Sequence, residues 1–349
     1  MKKNNLSAFF LALGGALFVS LAAYLFWQPE REIAIDIEGH YENPFDVLSF
    51  EDILQRLPGS IPILQYHMIM TPHNASLLSP LMAKRPLLRR FILTSQEFRE
   101  QLEILYEQGF RPISLDEYLA LGSGEVSSLK RLAPGTKPFV LTFDDATYGQ
   151  FDLIDTNSDG IVEIDPECAV GILLDFHNTH PDFALSGAFC IDFSKVPFLQ
   201  PSYVEKKLNL LLDYGFEIVN HTKNHTSLDK LFRKSPEAVA KEIGAAMEKF
   251  ESYLGYRAKS INKIAYPNGR VSDQVKQAVK QISYKGKTYH FIAGLHAYGL
   301  WAPQPASTHF DPYAIPRIEI SGKNFEKFVL LAPRLLTMPP LTEKKTQDK

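Results

Sequence analysis

The stretch that decides the fold is Val140-Leu-Thr-Phe-Asp-Asp-Ala-Thr147, written VLTFDDAT, an apolar run that stops on two adjacent carboxylates. An apolar run without alternation predicts a strand that is buried on both faces, as in a parallel sheet flanked by helices. In such sheets, ligands and reacting groups gather at the carboxyl ends of the strands. Asp144 and Asp145 are therefore candidates for catalytic or ligand-binding residues.

Helix signals surround this strand. Thr94-Ser-Gln-Glu97 has the form of a capping box and precedes an amphipathic pattern that stops at Gly109. Ser235 followed by proline begins a second clear helix, which Gly255 ends. Strand-like and helix-like segments alternate along most of the chain, which predicts an α/β domain with parallel strands and right-handed crossovers.

A second group of polar residues follows another apolar run. The segment FEIVNHTKNH places His221 and His225 four residues apart, so a turn of helix would direct both imidazoles the same way. One aspartate with two histidines offers three ligands for a divalent ion and leaves positions open for water and substrate. The same residue types also occur in the sites of non-haem iron oxygenases, and this alternative stays open here.

These segments resemble the polysaccharide deacetylases of carbohydrate esterase family 4, also called NodB homology domains. Thr142-Phe-Asp-Asp-Ala146 resembles the first family motif, and His221-Thr-Lys-Asn-His225 resembles the second. Ile264-Ala-Tyr-Pro-Asn-Gly269 is loosely similar to the third. Segments such as IPILQYHMI and IPRIEI are similar to the extracellular branch that includes poly-N-acetylglucosamine deacetylases. The resemblance covers about residues 60–322 and implies a distorted (β/α) barrel.

The resemblance also implies roles for individual residues. Asp145, His221 and His225 would hold a divalent metal, usually Zn²⁺ in this family, and Asp144 would be the general base. A backbone N–H of the turn Tyr266-Pro267-Asn268 would stabilise an oxyanion, so Asn268 is counted as catalytic. Its neighbours Tyr266 and Pro267, together with His67 after the strand IPILQY, are candidates for substrate binding, although a structural role suits His67 equally well.

The chain departs from the family pattern at several positions. Ala146 replaces a glycine, and it would carry strain of about 1 kcal/mol if its φ is positive. Ala265 stands where the third motif often has arginine, so Asp144 would be tuned in another way. The fifth motif, which supplies the general acid, is represented best by His296, with His309 as a second candidate.

An insertion at about residues 149–167 contains half of a calcium-binding loop. Asp155, Asn157 and Asp159 followed by a glycine match the first six positions of an EF-hand, but Pro166 stands where the bidentate glutamate belongs. The segment is either a Ca²⁺ site or an acidic turn that joins two short strands.

The N-terminus predicts a membrane anchor. Residues 6–27 carry no charge and follow Lys2 and Lys3, and about 20 apolar residues suffice to span a bilayer. The alternative is a cleaved signal peptide, which would make the protein secreted. Either topology places the rest of the chain outside the cytoplasmic membrane, where two cysteines, Cys168 and Cys190, are expected to be buried free thiols.

The predicted organisation has four parts. Residues 1–33 form a cytoplasmic tip and transmembrane helix, 34–59 a linker, 60–335 the deacetylase domain and 336–349 a polar tail. The net charge of −3 over 349 residues, without a basic stripe, excludes a nucleic-acid partner. The expected function is metal-dependent removal of N-acetyl groups from an acetamido-sugar polymer. The alternative is an inactive carbohydrate-binding or scaffold protein with the same fold, and oligomeric state stays open.

Overall fold

The computed structural model describes residues 60–123, 132–155, 161–269, 271–297, 299 and 301–334. The strands, in chain order, are β1 Ser60–Ile61, β2 Ile63–Tyr66, β3 Met68–Met70, β4 Ile92–Thr94, β5 Phe110–Pro112, β6 Lys137–Asp144, β7 Leu153–Ile154, β8 Glu163–Ile164, β9 Ala188–Ile191, β10 Glu217–Asn220, β11 Lys263–Ala265, β12 Gln281–Tyr284, β13 Lys287–His290, β14 Ala293–Leu295, β15 Ala302–Pro303 and β16 Ile318–Glu319. The helices are α1 Ala75–Lys84, α2 Ser95–Glu107, α3 Leu115–Ala120, α4 Ala169–Thr179, α5 Val204–Asp213, α6 Leu228–Phe232, α7 Pro236–Leu254, α8 Asp273–Val279 and α9 Gly322–Leu331.

The central sheet is parallel and has the order β14-β11-β10-β9-β6-β2-β16, with β5 beside the start of β6. Strand β6 pairs with β2 on one side and β9 on the other, and all its residues after Lys137 are buried. This confirms the prediction of a parallel strand covered on both faces, and it places the carboxyl end of β6 near the middle of the sheet.

The sheet curls until one segment of chain reaches both of its edges. Leu295 of β14 forms a parallel bridge with Ile315, and the same stretch continues into β16, where Ile318 pairs with Leu64 of β2. The backbone N–H of Ile315 donates to the Gly294 carbonyl at 3.0 Å. The α/β prediction is therefore confirmed, with a curled parallel sheet as its centre.

The predicted helices begin and end at their expected signals. Thr94 and Glu97 form both hydrogen bonds of the capping box of α2. Helix α7 has Ser235 as its N-cap, which accepts from the N–H of Ala238, and it stops at Gly255, whose φ is 56°. The apolar row of α7 packs into the core that covers the sheet; its buried members are Val239, Ile243, Met247, Phe250 and Leu254.

The insertion after β6 is a small antiparallel pair. Leu153 pairs with Ile164, and Ile154 pairs with Glu163. This agrees with the two short strands expected there. Of the predicted calcium ligands, Asp155 is exposed at the end of β7, whereas Asn157 and Asp159 lie outside the described residues.

Cys168 and Cys190 are free and buried, as expected. Within the described part of the chain, no helix combines the length and the apolarity needed to cross a membrane. The predicted span at residues 6–27 lies outside the described residues.

Candidate active site

Three strands of the central sheet end at the same edge of the curled sheet, with β9 between two of them. Strand β6 ends on Asp144, β10 is followed directly by His221, and β11 is followed by Tyr266. The fold therefore brings together side chains that are far apart in the sequence, because the carboxyl ends of parallel strands share one edge.

The backbone turns sharply after Asp144, which separates the two aspartates. Asp145 has φ 73° and Ala146 has φ 42°, both in the left-handed region. A residue with a side chain loses about 1–2 kcal/mol in this region, so the surrounding structure must hold the turn. The result is that Asp144 stays buried against the sheet, whereas the side chain of Asp145 keeps 35% of its surface exposed.

Asp145, His221 and His225 converge on one point. Asp145 Oδ1 lies 3.4 Å from His221 Nε2 and 3.3 Å from His225 Nε2, and one ligand atom from each residue lies within 4.8 Å of the others. Despite this proximity, the buried Asp145 Oδ1 makes no hydrogen bond among the described residues. An oxygen and two nitrogens that approach without hydrogen bonding fit a divalent cation between them, and the donor set suits Zn²⁺ and similar ions.

The imidazole of His221 is oriented by the next strand. Its Nδ1 lies 2.9 Å from the backbone carbonyl of Ala265, and because a carbonyl only accepts, Nδ1 carries the proton. Nε2 therefore faces Asp145, which is the arrangement seen when a backbone group fixes the tautomer of a metal-binding histidine. Burial opposes the charged ring, but Asp144 and Asp145 outweigh burial and raise the pKa of His221 to about 9.

His225 differs from His221 because its surroundings favour the neutral ring. Burial lowers the pKa of His225, and Asp145 opposes this effect only in part. A further carboxylate that was not singled out from the sequence, Asp192, follows β9 and accepts from the N–H of Ser194 at 2.7 Å. Its burial and the charge of Asp145 raise the pKa of Asp192, while both histidines oppose that rise.

Asp144 is held by a buried arginine. Arg317 donates from Nη1 to Oδ1 at 2.6 Å and from Nη2 to Oδ2 at 2.8 Å, and Gln65 donates to Oδ2 at 2.8 Å. Burial raises the pKa of the Asp144 carboxyl, but Arg317 and then His221 outweigh burial and hold the pKa well below its usual value. Asp144 is therefore ionised at neutral pH, and its Oδ2 lies 3.8 Å from His221 Nε2.

Arg317 supplies the guanidinium that the sequence lacks at Ala265. It comes from the segment that bridges both edges of the sheet, two residues after Ile315. The same guanidinium also donates to Thr142 Oγ1 at 3.2 Å and to the backbone carbonyl of His296 at 2.8 Å. The signal in the sequence was the arginine inside IPRIEI, a short strand-like run in which Arg317 and Glu319 alternate with isoleucines.

His67 lies at the carboxyl end of β2, beside the catalytic edge. Tyr66, the residue before His67, pairs with Phe143, the residue before Asp144. His67 Nδ1 is buried and has no hydrogen-bond partner among the described residues. The buried amide of Gln150 donates to the backbone carbonyls of both His67 and Asp144, so it ties the ends of β2 and β6 together.

The turn after β11 contacts the loop that carries His221 and His225. Asn268, with φ 61°, donates weakly from Nδ2 to the backbone carbonyl of His225 at 3.5 Å. Pro267 is buried. The side chain of Tyr266 is also buried, and its hydroxyl donates to the carbonyl of Tyr313 at 3.0 Å, so this ring is part of the core. Tyr266 can therefore contact a substrate only through its backbone.

The two candidates for the general acid lie in different environments. His296 is half-buried, its ring lies 5.7 Å from the ring of Tyr266, and its backbone N–H donates to Ile315. His309 is exposed, and its backbone N–H donates to Ser307 Oγ. None of these contacts involves Asp145, His221 or His225. The role of His296 as the general acid stays a prediction.

At this edge of the α/β fold an ionised carboxylate, Asp144, lies next to three candidate metal ligands, Asp145, His221 and His225. The family model described as polysaccharide deacetylase matches residues 183–286. These residues include His221, His225 and the turn at 266–268, so this part of the chain matches the polysaccharide deacetylase domain, an enzyme domain. Asp144, Asp145, His67 and Arg317 lie outside the matched residues. Comparison with curated protein sequences gives no match.

Several solved structures of deacetylases and an esterase are similar to this chain. The deacetylase PplD of Streptococcus pyogenes, in complex with acetate, is 19% identical and matches over 79% of this chain and 99% of that chain, with a TM-score of 0.49. A de-N-acetylase from Aggregatibacter actinomycetemcomitans is 12% identical over 77% and 99% of the two chains, with a TM-score of 0.46. A family 4 acetyl xylan esterase from Clostridium thermocellum, in complex with a cobalt ion, is 16% identical over 45% and 56%, with a TM-score of 0.28.

Proposed function

We propose that this protein removes N-acetyl groups from an acetamido-sugar polymer by metal-assisted hydrolysis. The observation that carries the proposal is the pairing of two unlike carboxylates on consecutive residues. Asp144 is buried and bonded to Arg317, while Asp145 faces two imidazole nitrogens without a hydrogen bond to its Oδ1. One aspartate is arranged to take a proton, and the other is arranged to hold a cation.

Asp145, His221 and His225 would hold the ion, most simply Zn²⁺. When bound, the ion lowers the pKa of water and polarises an amide carbonyl. Because His221 Nδ1 is committed to the Ala265 carbonyl, its Nε2 must lose any proton before it can act as a ligand. Loading of the site is therefore expected to weaken as the pH falls.

Asp144 takes a proton from the attacking water. Its depressed pKa keeps the carboxylate ionised, and Arg317 fixes both oxygens so that the group cannot rotate away. Of the turn at residues 266–268, the Tyr266 N–H donates to the Leu295 carbonyl and Pro267 has no N–H, so the backbone N–H of Asn268 is the donor that would stabilise the negative charge on the carbonyl oxygen.

We assign the proton donor for the leaving amine to His67. Its Nδ1 is buried without a partner among the described residues. The position of His67 at the end of β2, next to β6 in the sheet, brings it to the same edge as the base. The sequence favoured His296 for this role, and a comparison of both variants decides between them.

The proposal extends to where the protein acts and to which polymer it deacetylates. The uncharged run at residues 6–27, after two lysines, supports a membrane anchor with the catalytic domain outside the cytoplasm. An aminoglycan of the cell wall or an exopolysaccharide would then be the accessible substrate. The insertion that follows β6 lies next to the catalytic strand and is well placed to shape the cleft for that polymer.

The test is acetate release from acetylglucosamine oligomers and from peptidoglycan by the full-length protein. Wild type loaded with Zn²⁺ should release acetate, a chelator should stop the reaction, and Zn²⁺ should restore it. Asp144→Asn should bind Zn²⁺ but release acetate at least about 100-fold more slowly, since general bases contribute roughly 10²–10⁴-fold. Zn²⁺ binding without acetate release from any acetamido-sugar polymer would refute the proposal and favour a non-catalytic carbohydrate-binding role.

A further inference from the structure

The loop between the two metal-binding histidines has an unusual backbone. Thr222 has φ 71° and His225 has φ 53°, and neither residue is glycine. Each left-handed residue of this kind is unfavourable by roughly 1–2 kcal/mol, so contacts from outside the loop must stabilise its shape. The direction of the His225 ring depends on that shape, because its own backbone is one of the two strained positions.

One side chain holds the middle of this loop by two hydrogen bonds. Glu242 of α7 accepts from the backbone N–H of Asn224 at 2.6 Å and from the side-chain Nδ2 of Asn224 at 2.8 Å. Glu242 is only 6% exposed, which is rare for a glutamate without a cationic partner in these contacts. Its carboxylate lies between helix and loop and meets two donors from one residue.

The beginning of the loop is tied to the same helix. Asn220 accepts from the N–H of Thr222 at 2.8 Å and donates to the backbone carbonyl of Ile243, the residue after Glu242, at 3.4 Å. Helix α7 therefore contacts the loop on both sides of Thr222. Asn224 immediately precedes His225, so a movement of Asn224 passes directly to the ligand.

We propose that Glu242 is a positioning residue that sets the geometry of the metal cluster by fixing the loop at Asn224. This inference rests on the proposed function, because it assumes that His221 and His225 bind a metal. A carboxylate is required because Asn224 presents two donors, and a carboxylate offers an acceptor to each of them. A glutamine at this position offers one acceptor oxygen in place of two, and its NH₂ group then faces one of the Asn224 donors.

The experiment measures Zn²⁺ affinity of the full-length protein by competition with a chromophoric chelator. Glu242→Gln should weaken Zn²⁺ binding by about 10-fold or more, since residues that orient metal ligands typically contribute 10–100-fold. The visible absorption spectrum of the Co²⁺-loaded variant should also change, because that spectrum reports ligand geometry. Thermal unfolding of the metal-free proteins, measured in parallel, separates an effect on the metal from a general loss of stability.

Two controls make the test specific. Glu248→Gln removes the same charge from the same helix at a half-exposed position that pairs with Lys285, so it should leave Zn²⁺ affinity unchanged. Asn224→Asp alone should weaken binding, because two carboxylates then face each other. The double variant Glu242→Gln with Asn224→Asp exchanges the partners at constant charge, and it should recover most of the lost affinity.

The outcomes separate this inference from the function on which it rests. If Glu242→Gln binds Zn²⁺ as tightly as wild type, with an unchanged Co²⁺ spectrum, Glu242 has no positioning role. A weaker affinity that the exchanged pair does not restore also overturns the inference. If wild type itself fails to bind Zn²⁺, or binds it equally well after Asp145→Ala, the proposed metal site is wrong instead.

Discussion

Arg317 and Asp144 form the best-defined buried ion pair at the site, and its removal gives a quantitative test. The side chain of Arg317 is 0% exposed and that of Asp144 is 2% exposed. In Arg317→Met, the carboxylate keeps the hydrogen bond from Gln65 but loses both bonds from the guanidinium. Breaking one side of a buried pair typically lowers stability by about 3–5 kcal/mol, so we expect a loss of this size at neutral pH.

The loss should depend on pH with a definite sign. Arg317 holds the pKa of Asp144 in the folded protein below the 3.8 of an unperturbed aspartate. A depressed acid pKa contributes stability that is present above pH 3.8 and is lost as the pH falls through the folded-state value. Arg317→Met removes this contribution, so the difference from wild type should be large near pH 7 and should shrink in acid.

Urea unfolding of the metal-free protein at several pH values measures both effects. The matched control is the double variant Arg317→Met with Asp144→Asn, which leaves neither charge buried and should recover much of the lost stability. Activity adds a second readout, because the acid limb of the pH profile should move to higher pH when Asp144 loses its cation. Strictly additive losses in the double variant, with an unmoved acid limb, would show that Arg317 only packs against its neighbours.

Three further predictions concern other parts of the domain. His67→Asn should lower kcat roughly 10²–10⁴-fold with Zn²⁺ affinity retained, and His296→Asn should lower kcat less. If steady-state assays show the larger loss of kcat in His296→Asn, His296 is the general acid instead. Burial raises the pKa of Asp152 to about 6, so wild type should lose stability relative to Asp152→Asn as the pH rises from 3.8 through about 6; a constant difference in urea unfolding would contradict this. Gly294→Ala would place a Cβ 2.0 Å from the hydroxyl of Tyr266, so thermal unfolding should show a loss of about 1–3 kcal/mol, and unchanged stability would refute that packing.

The sequence predicts the parts of the site that follow directly from a strand end. Asp144 and Asp145 stop the apolar run that becomes β6, and His221 follows the run that becomes β10. Strand ends of a parallel sheet share one edge, so their proximity follows from topology without knowledge of side-chain positions. The left-handed φ of Ala146, 42°, also agrees with the glycine that the family motif has there.

Arg317 was not predicted because its role depends on how the sheet closes. It lies 173 positions from its partner Asp144, and nothing in the local pattern says which strands become neighbours. Only the pairing of Ile318 with Leu64 brings the arginine under the base. A charged residue inside an apolar strand indicates that a buried counter-ion exists, but it does not identify that counter-ion.

Glu242 was missed for a related reason. In α7 it reads as one more polar position among the charged residues of an amphipathic helix, yet it is buried, because the metal-binding loop covers it. The periodicity of a helix identifies the face that packs into the core, but it gives no information on a loop that covers a polar position at the border of that face. His67 was recognised as a residue at a strand end, whereas the Gln150 amide that links its carbonyl to that of Asp144 required the structure.

Closure of the sheet and assembly of the catalytic edge are one event in this fold. The segment that bridges β14 and β2 also carries Arg317, and Arg317 joins Asp144 of β6 to the backbone of His296 after β14. An unclosed sheet would therefore leave Asp144 without the cation that keeps it ionised, and burial would then favour its protonated form. Because the state of the base depends on a contact between the two ends of the sheet, loosening that contact should reduce catalysis even when the three metal ligands remain in place. Arg317 therefore makes the base competent only in the closed fold, whereas Glu242 acts on the neighbouring metal-binding loop.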